Sequence, residues 1–215
     1  MTRTQSAQPA GPSFIFLGDR LWLDFVNTDD VRRGMRVDLL RDFDAFVRWL
    51  EAAALLDRER AGGIRRRAQL QLAGASAVLA EARRIRASLR ALAERGAQHG
   101  DVRRTVVGEI NRVLGRSVGT RRLEERADGS FMRAFVPGGD AFAALMIPVV
   151  ESAADSLVTG ELIRVRRCGD PTCPRVFLDA TRNGRRRWCQ MGTCGNRAKA
   201  ARHRARVRRA VAGRP

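Results

Sequence analysis

Apolar residues recur at three- and four-residue spacing through most of the first 160 positions, and that period predicts helices. Phe43, Phe46, Val47, Leu50 and Ala54 mark a helix from Asp42 to Leu56. Asp57 is placed to cap a second one running towards Leu72, ahead of Gly74. Val78, Ala82, Ile85, Leu89 and Leu92 mark a third, with Arg83, Arg84, Arg86 and Arg90 on its solvated side. Val102, Val106, Ile110 and Val113 carry a fourth after Asp101. A fifth, capped by Asp140, takes in Phe142, Leu145, Val149 and Leu157, with Pro148 expected to kink or divide it.

Other stretches depart from that period. Residues 1–13 carry Pro9, Gly11 and Pro12 and read as a disordered lead-in. In Gly18–Thr28, helical geometry puts Leu21, Trp22, Leu23, Phe25 and Val26 on one arc and Asp24, Asn27 and Thr28 on the other, with Asp19 as N-cap. A buried strand is the alternative. Asp24, Asn27 and Thr28 are a candidate ligand or partner site, although capping or a buried hydrogen bond is the commoner role of such residues. Arg121–Arg126 and Phe131–Val136 flank Ala127-Asp-Gly-Ser130, a hairpin signal. Gly160 closes this region, and Leu162–Arg166 reads as a strand leading to the first cysteine. The fold class is α+β and mainly helical: a helical domain with a short β-hairpin over 14–160, then a four-cysteine module over 161–215.

Charge separates those parts. The 215-residue chain is 44% hydrophobic, enough for a sizeable core, and holds 41 Lys+Arg against 23 Asp+Glu. Sixteen of those bases and two of the acids lie between Arg164 and Pro215, so +14 of the formal +18 sits in the last quarter. Only Lys199 is a lysine. Arginine's planar fork suits phosphate. A GC-rich genome also favours arginine, but it does not explain the clustering.

The four cysteines follow C-x4-C-x15-C-x4-C: Cys168, Cys173, Cys189 and Cys194. No secretory signal is expected, since the apolar run Phe14–Leu17 is too short, nor any membrane span, which points to a reducing cytoplasm. There, paired cysteines bind metal more often than they form disulfides; oxidised, they would allow three connectivities. Gly169 and Pro171 let the first pair bend around an ion, and Val176–Thr181 with Arg185–Trp188 predict a hairpin about Asn183-Gly184. Gly192-Thr-Cys194 opens a helix to about Val211. Knuckle, hairpin, then a ligand at a helix start is the treble-clef order. Four thiolates on one Zn²⁺ fill a tetrahedron and leave no position for substrate, so the site is structural. The metal is expected to fold a module whose local core is little more than Val176, Phe177, Leu178 and Trp188. Treated as an independent unit, that module should unfold in a Cys189→Ser variant while 14–160 stays folded.

On the last helix, Ala198, Ala201 and Ala205 form a narrow stripe, and Arg197, Lys199, Arg202, Arg204, Arg206, Arg208 and Arg209 take most of the rest. Arg185, Arg186 and Arg187 extend the patch. A helix with so little to bury and so much self-repulsion is expected to be ordered by a polyanion.

Cys194-Gly-Asn-Arg197, with its preceding C-x4-C and Trp188-Cys189, resembles the CGNR zinc finger, and Leu23-Asp-Phe-Val-Asn-Thr28 resembles the start of the ABATE domain that accompanies it. The resemblance implies a bacterial, stress-related transcription regulator with a DNA-binding treble-clef finger. It carries the metal role to the four cysteines, gives Asn196 a hydrogen bond behind the metal or at the helix start, and has Arg197 reach a phosphate. DNA is therefore the expected partner. Alternatives are an RNA- or ribosome-binding module, and a protein-interaction, homodimeric or small-ligand-sensing chain without specific nucleic-acid recognition. His99 and His203 are the only histidines, and neither is evidently paired with a nucleophile, so no enzyme is expected.

Overall fold

The computed structural model describes residues 14–212, apart from 33, 97, 117–118, 126–128, 130, 138–141 and 143. The expected lead-in, most of the 127–130 turn and the expected cap Asp140 therefore lie outside the described residues.

A six-residue helix, α1 (Leu21–Val26), lies at the centre of the molecule, and Trp22, Leu23, Phe25 and Val26 are all fully buried. It packs against α4 (Leu72–Arg95), α6 (Ile147–Val158) and a strand of the cysteine module. Around it stand α2 (Phe43–Ala52), α3 (Arg58–Leu70) and α5 (Gly100–Arg116). Asp42 caps α2 by accepting the Ala45 N–H at 2.6 Å, and Asp57 caps α3 by accepting that of Arg60 at 2.8 Å. Edge-on aromatic contacts fill the core: Phe25–Trp49 with ring centres at 5.0 Å and Phe43–Phe142 at 5.4 Å.

Three two-stranded antiparallel sheets are present among the described residues. β1 (Asp29–Arg32) pairs with β2 (Met35–Asp38) around a left-handed Gly34, a ribbon that the hydrophobic pattern did not announce. β3 (Gly119–Glu125) pairs with β4 (Phe131–Pro137), the expected hairpin. β5 (Val165–Arg167) follows a 3-10 turn at Glu161–Arg164 and pairs with β6 (Val176–Leu178). A π-type turn, Met191–Gly195, then leads into α7 (Asn196–Ala212). Among the described residues no helix is long and apolar enough to cross a membrane.

Several local expectations change. Pro148 opens α6 instead of kinking it, because its missing N–H costs nothing at a helix start; Phe142 and Leu145 are buried in the turns before it. Asp19 has a left-handed backbone (φ 60°) and does not cap α1. Strand β6 pairs with β5, not with 185–188, because Asp179 holds the following loop in another shape: its carboxylate accepts the N–H groups of Thr181 and Arg186 at 3.0 and 2.9 Å.

The arginines of α4 are not simply solvated. Arg86 is buried and grips Asp38 with both fork nitrogens at 2.7 and 2.8 Å, while also reaching the Thr28 hydroxyl. Arg83 donates to the carbonyls of Leu40 and Arg41. Arg90 donates to those of Val26 and Asp29 and, across to the cysteine module, to that of Pro174 at 3.0 Å. For the Val26 carbonyl the reason lies in α1: a helix this short leaves its last carbonyl without an intrahelical partner, and Arg90 of α4 supplies a donor from outside.

Candidate metal centre and basic helix

The first cysteine pair sits on the connection between β5 and β6; of the second, Cys189 ends the loop before the π turn and Cys194 lies within that turn, just before α7. All four cysteines are buried, and their Sγ atoms lie within 4.8 Å of one another. Cys173 and Cys189 are 3.8 Å apart at sulfur, Cys189 and Cys194 3.7 Å. A tetrahedron with Zn–S bonds of about 2.3 Å has edges of about 3.8 Å, so these sulfurs stand where one Zn²⁺ needs them. As free thiols, Cys173 and Cys194 resist ionisation. A hydrogen bond with Cys189 and burial push the Cys173 thiol far up, and burial with the charge of Cys173 pushes Cys194 up to about 11. A dication at the centre reverses that preference, so zinc uptake must release protons. Trp188 packs against the cysteines, and a Cβ added at Gly169 would lie 3.0 Å from the Arg187 carbonyl oxygen and 3.1 Å from the Trp188 ring, so a larger residue there would disturb this side of the site.

Two Asp-x-Thr turns brace the centre. In the knuckle, one oxygen of Asp170 accepts the N–H and O–H of Thr172, at 3.0 and 2.8 Å. Burial opposes its charge, but Thr172 and the Arg197 guanidinium outweigh burial and hold the carboxyl below its usual range. Asp179 does the same work in the next loop through Thr181. Neither aspartate was singled out from the sequence. The repeated Asp-x-Thr spacing, which favours side chain-to-backbone turns, was the available signal.

The proposed phosphate contacts fall into three groups. Arg186 is consumed internally: it pairs with Asp19, donates to the Trp188 and Cys189 carbonyls and lies 4.3 Å over the Phe177 ring. Arg197 donates to Asp170 and Thr172, and Asn196 donates to the Gly192 carbonyl at 3.1 Å, the expected bond at the helix start. Arg185 and Arg187 are exposed beside an open cleft of about 640 Å³. Lys199, Arg202, Arg204, Arg206, Arg208 and Arg209 are exposed along α7.

Asp24, Asn27 and Thr28 are buried and bonded within the chain rather than offered to a ligand. Asn27 pairs with the β6 backbone at both ends of its amide: Nδ2 donates to the Val176 carbonyl and Oδ1 accepts the Val176 N–H, each at 2.9 Å. Thr28 bonds to the Phe25 carbonyl and to Arg86. One oxygen of Asp24 accepts the N–H groups of Leu17 and Gly18 at 2.8 and 2.7 Å. It thereby holds the entering chain so that the Gly18 carbonyl accepts the Leu178 N–H of β6. The polar edge of α1 is thus the seat of the cysteine module. Asp30, also buried, completes it with an ion pair to Arg175 at 2.7 Å.

Burial raises Asp24 to about 6, against the pull of its two N–H donors. The fold therefore holds the proton more tightly than the unfolded chain. This group's contribution to stability is present at low pH, declines from about pH 4 to about pH 6 and is gone above it. Asp24→Asn keeps an acceptor and removes the buried charge. Its melting temperature relative to the parent is expected to rise between about pH 4 and pH 6 and to level off above that; a difference independent of pH over that window would contradict the assignment.

A four-thiolate centre braced by turns and followed by a helix defines a zinc-finger protein with one structural zinc. Residues 164–207 match the CGNR zinc finger, and residues 19–161 match the ABATE family, described as putative stress-induced transcription regulator. The chain belongs to that family. No curated protein matches it closely enough to add a relative.

Proposed function

We propose that this protein is a transcription regulator that binds duplex DNA through α7, without catalysing a reaction. One observation carries the reading. α7 holds seven Arg and Lys and no acid in 17 residues, and its main neighbour is the π turn at its own base. From Ala201 to Arg209 every residue except the half-buried Ala205 is exposed. A helix with little apolar surface to bury and repelling charges along two of its faces is stabilised by a polyanion. Lys199, Arg202, Arg206 and Arg209 share one face, and Arg204 and Arg208 lie on another, so phosphates on both walls of a major groove are within reach.

Duplex DNA is favoured over RNA because single-stranded recognition uses exposed stacking aromatics. Phe177 is fully buried and Trp188 packs against the cysteines. With about six phosphates neutralised, log affinity is expected to fall against log salt with a slope near −5. A slope near zero would defeat the reading. So would equal affinity in a chain ending before Asn196. Preference for a structured RNA of equal length in direct competition would replace DNA with RNA.

A further inference from the structure

α7 is the element on which the DNA-binding reading rests, yet little of the protein holds it in place. Two side chains make the polar contacts at its base. Asn196 donates to the Gly192 carbonyl within the same turn, which cannot orient the helix against the rest of the module. Arg197 differs: its NH1 donates at 2.9 Å to Asp170 and at 2.9 Å to the Thr172 hydroxyl, 27 and 25 residues back on the first zinc knuckle. Asp170 is 5% exposed, and its second oxygen is taken by Thr172. The knuckle in turn is joined to the α1 domain through Arg175–Asp30 and Arg90–Pro174. A chain of polar contacts thus runs from the domain core to the first turn of α7 and ends at Arg197.

The geometry points to Arg197 as a positioning residue that sets the direction of α7, with Asp170 as its anchor, and not as a phosphate contact. The inference rests on the DNA reading for its consequence but not for its geometry. From Arg197 to Arg209 the helix spans about 18 Å, so a swing of about 15° at the base moves the far arginines by about 5 Å, more than the axial rise of about 3.4 Å between phosphates of one strand. A helix that pivots freely must lose that freedom on every binding event, and a pinned one does not.

The two roles predict opposite signs for one substitution. If Arg197 contacted phosphate, Asp170 would be its competitor, and Asp170→Asn would release it, remove a negative charge and tighten binding. If Asp170 anchors the pin, the same change weakens binding although it makes the protein more positive. Asp170→Asn and Arg197→Gln are expected each to reduce duplex affinity about tenfold, with little change in salt slope, and the double variant to be no worse than either, as for two residues acting as one unit. Arg197→Gln leaves the Asp170–Thr172 turn intact, so its zinc content and melting should stay near the parent's even if Asp170→Asn disturbs the knuckle. A salt slope shallower by about one in Arg197→Gln, with tighter binding by Asp170→Asn, would overturn the proposal. Hydrogen exchange of the 198–203 amides in the free proteins gives an answer without DNA. Faster exchange in Arg197→Gln supports the pin, and unchanged exchange overturns it. If the parent fails to bind DNA, the functional reading fails while the exchange measurement still decides the pin.

Discussion

A Cys189→Ser variant, or the parent stripped by a chelator, is expected to lose stability in the α1 domain as well as in the cysteine module. Strand β6 is the reason. All three of its residues are buried, but they face two ways. Val176 and Leu178 belong to the large core built on Trp22, Phe25 and Leu89, whereas Phe177 packs with the four cysteines. One strand is therefore shared between two cores. If the metal side opens, Phe177 loses its packing and the strand that carries Val176 and Leu178 loses one wall. Those two side chains contribute about 3–5 kcal/mol by burial, and the Asn27 contacts depend on the same strand. Zinc loss is expected to lower the melting of the whole chain by about 10 °C or more and to speed amide exchange in α1 and α4. An unchanged helical melt after zinc loss, with α1 exchange unaltered, would restore the picture of two independent units that the sequence suggests.

Asn27→Ala is the second change expected to have a large effect. Val176 presents a buried N–H and a buried carbonyl to the Asn27 amide, and alanine satisfies neither. Leaving both unpaired costs about 2–5 kcal/mol. Asn27→Asp separates hydrogen bonding from size: a carboxylate can accept the Val176 N–H but meets the carbonyl oxygen with a second acceptor. It should be at least as damaging, and chelator should extract zinc faster from both variants, because the seat of β6 is gone. If Asn27→Ala melts within 1 °C of the parent, the amide bridge is not a significant contact between the two parts.

The elements legible from the sequence were those in which one local cause dominates. Asp57 caps α3 as its position announces, and α2 starts where the pattern puts it, with Asp42 as its cap, because a short acceptor beside free N–H groups needs no other context. The apolar stripe of α4 was readable for the same reason, although its arginines were not. A guanidinium on a helix face looks the same in sequence whether water or a backbone carbonyl accepts its protons. Arg83, Arg86 and Arg90 found their acceptors only when α1 and the β1–β2 ribbon came alongside. That ribbon was missed because its strands are polar and only Asp30 among them is buried. The Asn183-Gly184 signal failed because Asp179 offered the backbone stronger local bonds than a second strand would have.

The metal site was determined by the sequence alone: four cysteines in matched pairs, in a chain with no others, specify the ligands because thiolate chemistry depends on residue type and spacing. The cationic character of the last quarter follows equally from composition, since charge needs no fold. Which charges remain available did need one. Tertiary structure turned Arg186 inward, tied Arg197 to Asp170 and left the outer face of α7 exposed. It also spent Asp24, Asn27 and Thr28 on seating β6. A hydrogen bond's partner is set by what packing brings within 3 Å, and for Asn27 that partner lies 149 residues away.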